Sequence, residues 1–287
     1  MKRLIVNADD FGLAESVNEG IIKAHRDGIV TSTSLLAGGR GAEHAAALAK
    51  DNPSLGIGVH LCVTLERPVS PPEKIPSLID NNGRLPGGPL PFATGLFSGR
   101  VKPRDIEAEL RAQIERALAL GITPTHIDGH QHLFMLGPVF EIAVRLTKEF
   151  GIKAMRYPVG PWDGLYCPAR TMEKLFLESI AKSQLKRLEA SGLSRPDHFF
   201  GVPETGRMDS GKLLRIIERL PEGTSEIMCH PGLENLTLAK EINWGYGWKT
   251  ELEAVTDGQV KERIKVSGIE LISYAVIPEC FNRGPRA

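Results

Sequence analysis

The residues Arg3-Leu4-Ile5-Val6-Asn7-Ala8-Asp9-Asp10-Phe11-Gly12 place a buried strand at the head of this chain, and that strand ends in two adjacent carboxylates and a glycine. Neighbouring side chains on a strand point to opposite faces, so two acids can share one site only where the strand stops and the chain bends. Gly12 permits the bend. In parallel β/α architectures catalytic side chains collect at the carboxyl ends of the strands, which gives Asp9 and Asp10 a functional place. An isolated Asp-Asp has an ordinary reading too, one acid capping a turn and the other solvated, so the pair is weighed with the histidines further on.

Downstream, strand and helix signals alternate. Ser16-Val17-Asn18-Glu19 reads as a capping box opening a helix to about Asp27, with Gly28 as its stop. Thr31 to Ala37 reads as a strand, Glu43 to Lys50 as a helix and Leu55 to Leu61 as a third strand, whose Gly56 and Gly58 signal close approach or a bulge. From Glu66 to Gly99 prolines and glycines interleave, so no long regular element is expected, and the segment reads equally as a cleft rim or a surface excursion.

Pro103 to Leu120 reads as an amphipathic helix with Ile106, Leu110, Ile114, Ala117 and Leu118 inward and its charges outward. Thr125 to Asp128 is a short strand, Val139 to Phe150 a helix and Lys153 to Tyr157 a strand. Trp162 and Tyr166, between Pro158 and Pro168, suit either an aromatic platform for a sugar ring or a packed loop. A helix follows over Arg170 to Ser191, a strand over His198 to Val202, a helix over Ser210 to Leu220 and a strand over Glu226 to His230. A second capping box at Thr250 opens a helix reaching Val266, and Ile269 to Ile277 is the last strand. About seven or eight such alternations with no linker indicate a single α/β domain over 1–287, an irregular β/α barrel with a Pro/Gly-rich insertion at about 66–100.

Lys+Arg and Asp+Glu are both 35, so nothing global favours nucleic acid or an anionic membrane. No apolar run approaches the roughly 18 residues of a spanning helix, and a strand starting at residue 3 leaves no room for a signal peptide, so a cytoplasmic, soluble protein is expected. Cys62, Cys167, Cys229 and Cys280 are widely spaced and read as free thiols. Oligomeric state is not legible in these residues, and a homodimer stays open.

Histidines stand at several of the same strand ends: His60, the run His126-Ile127-Asp128-Gly129-His130-Gln131-His132, and His230. One Asp and two His with an open position make a facial, hydrolytic type of metal site. Within the run, His130 follows Gly129, where the chain can turn over the barrel mouth, and is preferred as ligand. Asp128 or His126 then serves as the partner that orients it.

Asn7 to Gly12, Gly58-Val59-His60, Thr125 to His132 and Cys229-His230-Pro231-Gly232 resemble, in order, the motifs of the YdjC/ChbG-type carbohydrate deacetylases, a family that includes the hopanoid-associated HpnK proteins. The resemblance implies an irregular barrel related to the polysaccharide deacetylases, and a divalent cation that assists removal of acetyl groups from N-acetylated sugars or glycoconjugates. It implies Asp10, His60 and His130 as metal ligands, Asp9 as general base, His230 as general acid and Arg156 as the arginine that orients the base, with His126, Asp128 and His132 in the surrounding layer. Magnesium follows from the resemblance, whereas imidazole ligands suit zinc or another transition ion better. Base and acid acting together imply a bell-shaped pH profile. Competing readings are a metal-dependent phosphoesterase, which would want a basic phosphate clamp, a sugar isomerase on fold analogy, and a non-catalytic sugar-binding protein, which needs neither base nor acid.

Overall fold

The structure, a computed structural model, describes residues 1–65, 67–161, 168–233, 240, 242 and 244–278. Its spine is β1 (Lys2–Phe11), flanked in a parallel sheet by β2 (Ser32–Leu35) and β7 (Gly223–Cys229). Beyond them lie β3 (Gly56–Leu61), β4 (His126–Gly129) and β5 (Ala154–Met155) on one side and β6 (His198–Phe200) on the other. The order is β5-β4-β3-β2-β1-β7-β6, and β8 (Glu270–Leu271) pairs with the start of β1. The sheet curls into an open barrel. Its two edges are linked by a single bridge from Ala154 to Ser194 and by the Phe199 N–H donating to the Val159 carbonyl.

Helices cover the outside: α1 (Glu15–Asp27), α2 (Ala42–Lys50), α3 (Pro89–Phe97), α4 (Pro103–Ala119), α5 (Gly137–Glu149), α6 (Pro168–Ser191), α7 (Ser210–Glu218), α8 (Trp248–Thr256) and α9 (Gly258–Val266). Strands buried on both faces, as in β1 where Leu4, Ile5 and Val6 are fully buried, explain the continuous apolar runs. The curled parallel sheet with surrounding helices bears out the α/β class.

Several local expectations need correction. Helix α1 opens after Ala14, with no side-chain cap, so Ser16 lies inside it. What ties this turn is Asn18, whose Oδ1 accepts the Gly12 N–H at 2.6 Å while its Nδ2 donates to the Gly41 carbonyl. Likewise α8 opens after Gly247, with Thr250 inside it, and Asp257 breaks the following stretch into a second helix by accepting the Gln259 N–H. The last strand is two residues long because β2 takes over that edge of β1 from Asn7 onward.

The 66–100 insertion is more ordered than its composition suggests. Pro89 sits at the first position of α3, where its fixed φ and missing N–H do no harm. Three residues of α4 that alternate at helical spacing, Asp105, Glu109 and Gln113, are buried and not solvated. Asp105 accepts the Ser77 N–H, Glu109 accepts those of Val69 and Ser70, and Gln113 exchanges bonds with both backbone groups of Cys62. Asp105 and Glu109 therefore zip the insertion to α4, and Gln113 ties the same helix to the chain just after β3, while Leu118, expected inward, is 43% exposed. Trp162, Tyr166, Cys167 and Cys280 lie outside the described residues; Cys62 and Cys229 are buried, and neither is in a disulfide among the described residues. No described helix is long and apolar enough to cross a membrane.

Candidate active site

The register of the sheet brings the chemistry together. Ala8 pairs with Cys229 and His60 with Asp128, so Asp9, Asp10, His60, Asp128, His130 and His230 all fall at the carboxyl ends of β1, β3, β4 and β7. Asp10 has a left-handed φ of 69°, which short polar residues tolerate best among those with a Cβ. That twist lets consecutive carboxylates reach one site. Gly58 does for β3 what its spacing suggested: a Cβ there would lie 2.5 Å from the His126 ring, so the glycine makes room for an imidazole beneath the site.

Asp9 is gripped from below. The buried Arg156 guanidinium donates to Asp9 Oδ2 at 2.7 Å and Oδ1 at 2.6 Å, and Asn7 Nδ2 donates to Oδ1 at 2.8 Å. Burial disfavours the charge, yet the guanidinium overrides it and holds the Asp9 carboxyl far below the usual carboxylate range. Asp10 is in the opposite situation: both oxygens are buried, and neither has a hydrogen-bond partner among the described residues. Its Oδ1 lies 3.3 Å from His130 Nδ1 and 3.6 Å from His60 Nε2.

His60 Nδ1 is 2.8 Å from Asp128 Oδ1, a contact in which the ring N–H donates and Nε2 faces Asp10. Burial opposes a charge on His60, but Asp128, with Asp9 and Asp10, outweighs it and lifts the imidazole to about 9. Asp128 thus orients His60, not His130 as the spacing suggested. His126 is not beside His130 either. It stacks on Tyr274 at 3.8 Å, bonds to Thr125, and is pulled by burial down to about 3, which leaves it neutral. His132, also lowered to about 3, turns its ring edge to Phe199.

Among the described residues, two clusters have metal-binding proximity. In each, the ligand atoms lie within 4.8 Å of one another: Asp10 with His60 and His130, and Asp9 with His60 and Asp128. The second fits a cation poorly, because Arg156 already lies 2.6 Å from Asp9 and 3.0 Å from Asp128. The first fits well: a buried carboxylate with no donor is costly, and its two imidazole neighbours complete a carboxylate-plus-two-nitrogen donor set.

His230, after β7, sits 3.7 Å through Nδ1 from Glu251 of α8, whose carboxylate also accepts the His230 and Met208 backbone N–H groups. Burial works against its charge, but Glu251 prevails and raises the imidazole above its ordinary value. Its loop is backed by α1, for a Cβ at Gly20 would lie 2.5 Å from Gly232 Cα. Asp9, His60, His130 and His230 line a cleft of about 710 Å³, walled by Leu90 and Phe97 of α3 and by Trp244 and Tyr246.

Glu226, Tyr274 and Glu251 escaped the sequence reading. Glu226 is fully buried mid-strand, bonded to Arg156 Nε at 2.9 Å and to the Tyr274 hydroxyl at 2.5 Å, and burial lifts it to about 7. A charged residue inside the apolar end of a strand was the available signal.

A carbohydrate deacetylase of Brevibacillus brevis is 35% identical over 95% of this chain and 98% of its own length. A chitooligosaccharide deacetylase of Proteus mirabilis is 34% identical over 94% and 97%. The solved structure of an Enterococcus faecalis protein named for cellobiose-phosphate cleavage superposes with a TM-score of 0.74 at 28% identity, covering 95% of this chain and 97% of that one. The family model described as YdjC-like protein matches residues 3–266, and the chain belongs to that family.

Proposed function

We propose that this protein is a metal-dependent hydrolase that removes the acetyl group from an N-acetylated sugar. The observation that carries the reading is the contrast between two neighbouring acids: Asp9 held ionised by Arg156, and Asp10 facing two imidazoles with both oxygens unpartnered. The names of the Brevibacillus and Proteus relatives support the same chemistry.

Asp10, His60 and His130 are the residues that would hold a divalent cation, which when bound would polarise the acetamide carbonyl and make a water more acidic. Asp9 takes the proton from the attacking water, and Arg156 fixes the direction of its carboxylate. His230, kept as imidazolium by Glu251, gives a proton to the departing amine, so acetate and a free amino sugar leave. Because Arg156 keeps Asp9 ionised well into acid, the base does not set an acid limb within the ordinary range. An alkaline limb follows where His230 loses its proton, above the ordinary imidazole value.

The α3 side of the cleft, with Pro89, Leu90, Ala93 and Phe97, supports a substrate that carries an apolar aglycone beside its sugar. A phosphate ester is less well served, since Arg156 is committed to Asp9, Asp128 and Glu226. The test is acetate release from chitooligosaccharides and from alkyl N-acetylglucosaminides, with stripped protein and with metals restored. Release that survives complete stripping, or no release from any N-acetylated sugar, overturns the proposal.

A further inference from the structure

Beneath Asp9 lies a chain of buried contacts that the reaction itself does not use. The ring of His126 stacks on Tyr274, and the Tyr274 hydroxyl donates to Glu226 Oε2 at 2.5 Å. Glu226 Oε1 accepts from Arg156 Nε at 2.9 Å and lies 2.9 Å from Nη2, and the Nη1–Nη2 end of the same guanidinium grips Asp9 through two bonds. Arg156, Glu226 and His126 are wholly buried, Tyr274 is 1% exposed and Asp9 2%.

We propose that Glu226 is a positioning residue for the hydrolysis, holding the Nε edge of Arg156 so that its other edge meets Asp9 in a fixed plane. The inference rests on Asp9 acting as base. A guanidinium is planar, so fixing Nε fixes where both terminal nitrogens point. With Asp9 as its only anchor, Arg156 could follow the carboxylate as it swings and would cease to orient it. Asp128, 3.0 Å from Nη2, contacts one corner and cannot define the plane. The Phe199 ring, 5.2 Å from Cζ, supports one face but leaves rotation within the plane free. Glu226 supplies the missing constraint, and Tyr274 fixes Glu226 in turn.

The test uses the full-length, metal-loaded protein and its metal-free crystals. Glu226→Ala should lower kcat about tenfold to a hundredfold while KM stays within about twofold, as expected when a buried orienting partner of a working group is lost. Glu226→Gln keeps an acceptor for Nε and should recover most of the rate. In an Asp9→Asn background Glu226→Ala should cost nothing further, because its effect passes through Asp9. Crystals of Glu226→Ala should show Arg156 turned away from its two-bond contact with Asp9. That readout holds whether or not the wild type releases acetate, so failure of the deacetylase reading is separable from failure of this one. An unmoved Arg156, or a melting temperature that falls with kcat unchanged relative to wild type, overturns the proposal. If Glu226→Ala does not fold, Tyr274→Phe decides. It should lower kcat severalfold at constant KM, and wild-type kcat there refutes the role.

Discussion

Asp9 and Asp10 are the same amino acid one position apart, yet they belong to two different regions of the molecule. Below the cleft, around Arg156, carboxylates are matched to donors: Asp9 takes three hydrogen bonds, Glu226 is held from both ends, and Asp128 is shared between His60 and Arg156. At the mouth, neither Asp10 oxygen nor His130 Nε2 has a hydrogen-bond partner among the described residues. The floor is built for rigidity, with Asp9, Asp128 and Glu226 all paired to the Arg156 guanidinium. The mouth is built to be completed from outside, and its groups are arranged around a shared point.

Substitutions can break this contrast. The largest expected loss is at the mouth: Asp10→Asn or His130→Ala should release the cation and lower kcat/KM by about a thousandfold or more, given what one metal's charge contributes to such a transition state. Bound metal measured by elemental analysis should vanish, while the melting temperature stays at that of the metal-free wild type. Asp9→Asn should lower kcat by about a hundredfold to ten-thousandfold with metal still bound, the range of a lost general base. If metal is lost from Asp9→Asn and kept by Asp10→Asn, the two regions have been assigned the wrong way round.

On the floor the signature is instability. Arg156→Met leaves Asp9, Asp128 and Glu226 buried without their cation and should cost about 3–5 kcal/mol, read as a lowered denaturation midpoint. A fall in activity without that destabilisation would show that the floor is not the rigid body described above. Glu251→Gln sharpens the comparison more gently. His230 has its protonated form stabilised by Glu251, so removing that carboxylate lets the imidazole titrate nearer its ordinary value and the alkaline limb of kcat moves to lower pH. An unmoved limb would mean that another group gives the final proton. The smallest effect is expected at Leu118, which is 43% exposed: Leu118→Lys should change stability by less than about 0.5 kcal/mol.

The mouth was more legible in the sequence than the floor, for a physical reason. Asp10, His60 and His130 sit at strand ends, where an apolar run stops and a polar residue stands out against it, and of the floor only Asp9 shares that position. The same pattern located the sheet, because strands buried on both faces announce themselves. Glu226, Glu251 and the Asp105, Glu109 and Gln113 stripe lie within elements, and there a polar residue on an amphipathic pattern looks solvated whichever way it faces. Only tertiary contact decides that Asp105 and Glu109 bind the backbone of the 66–100 insertion and that Gln113 binds the backbone of Cys62. Likewise the spacing of His126 and Asp128 placed them on one face of β4, but which histidine Asp128 serves depends on β3 lying alongside.

The left-handed backbone at Asp10 limits what this position can become. Glutamate would carry the same charge but, with a longer side chain, would sit badly there, and alanine would remove the buried charge while keeping the torsional penalty. Glycine alone would relieve it, yielding a chain that tolerates heat better and can no longer hold its ion. Selection for thermal robustness alone would therefore erase the ligand first, so the aspartate persists only where catalysis is being screened as well.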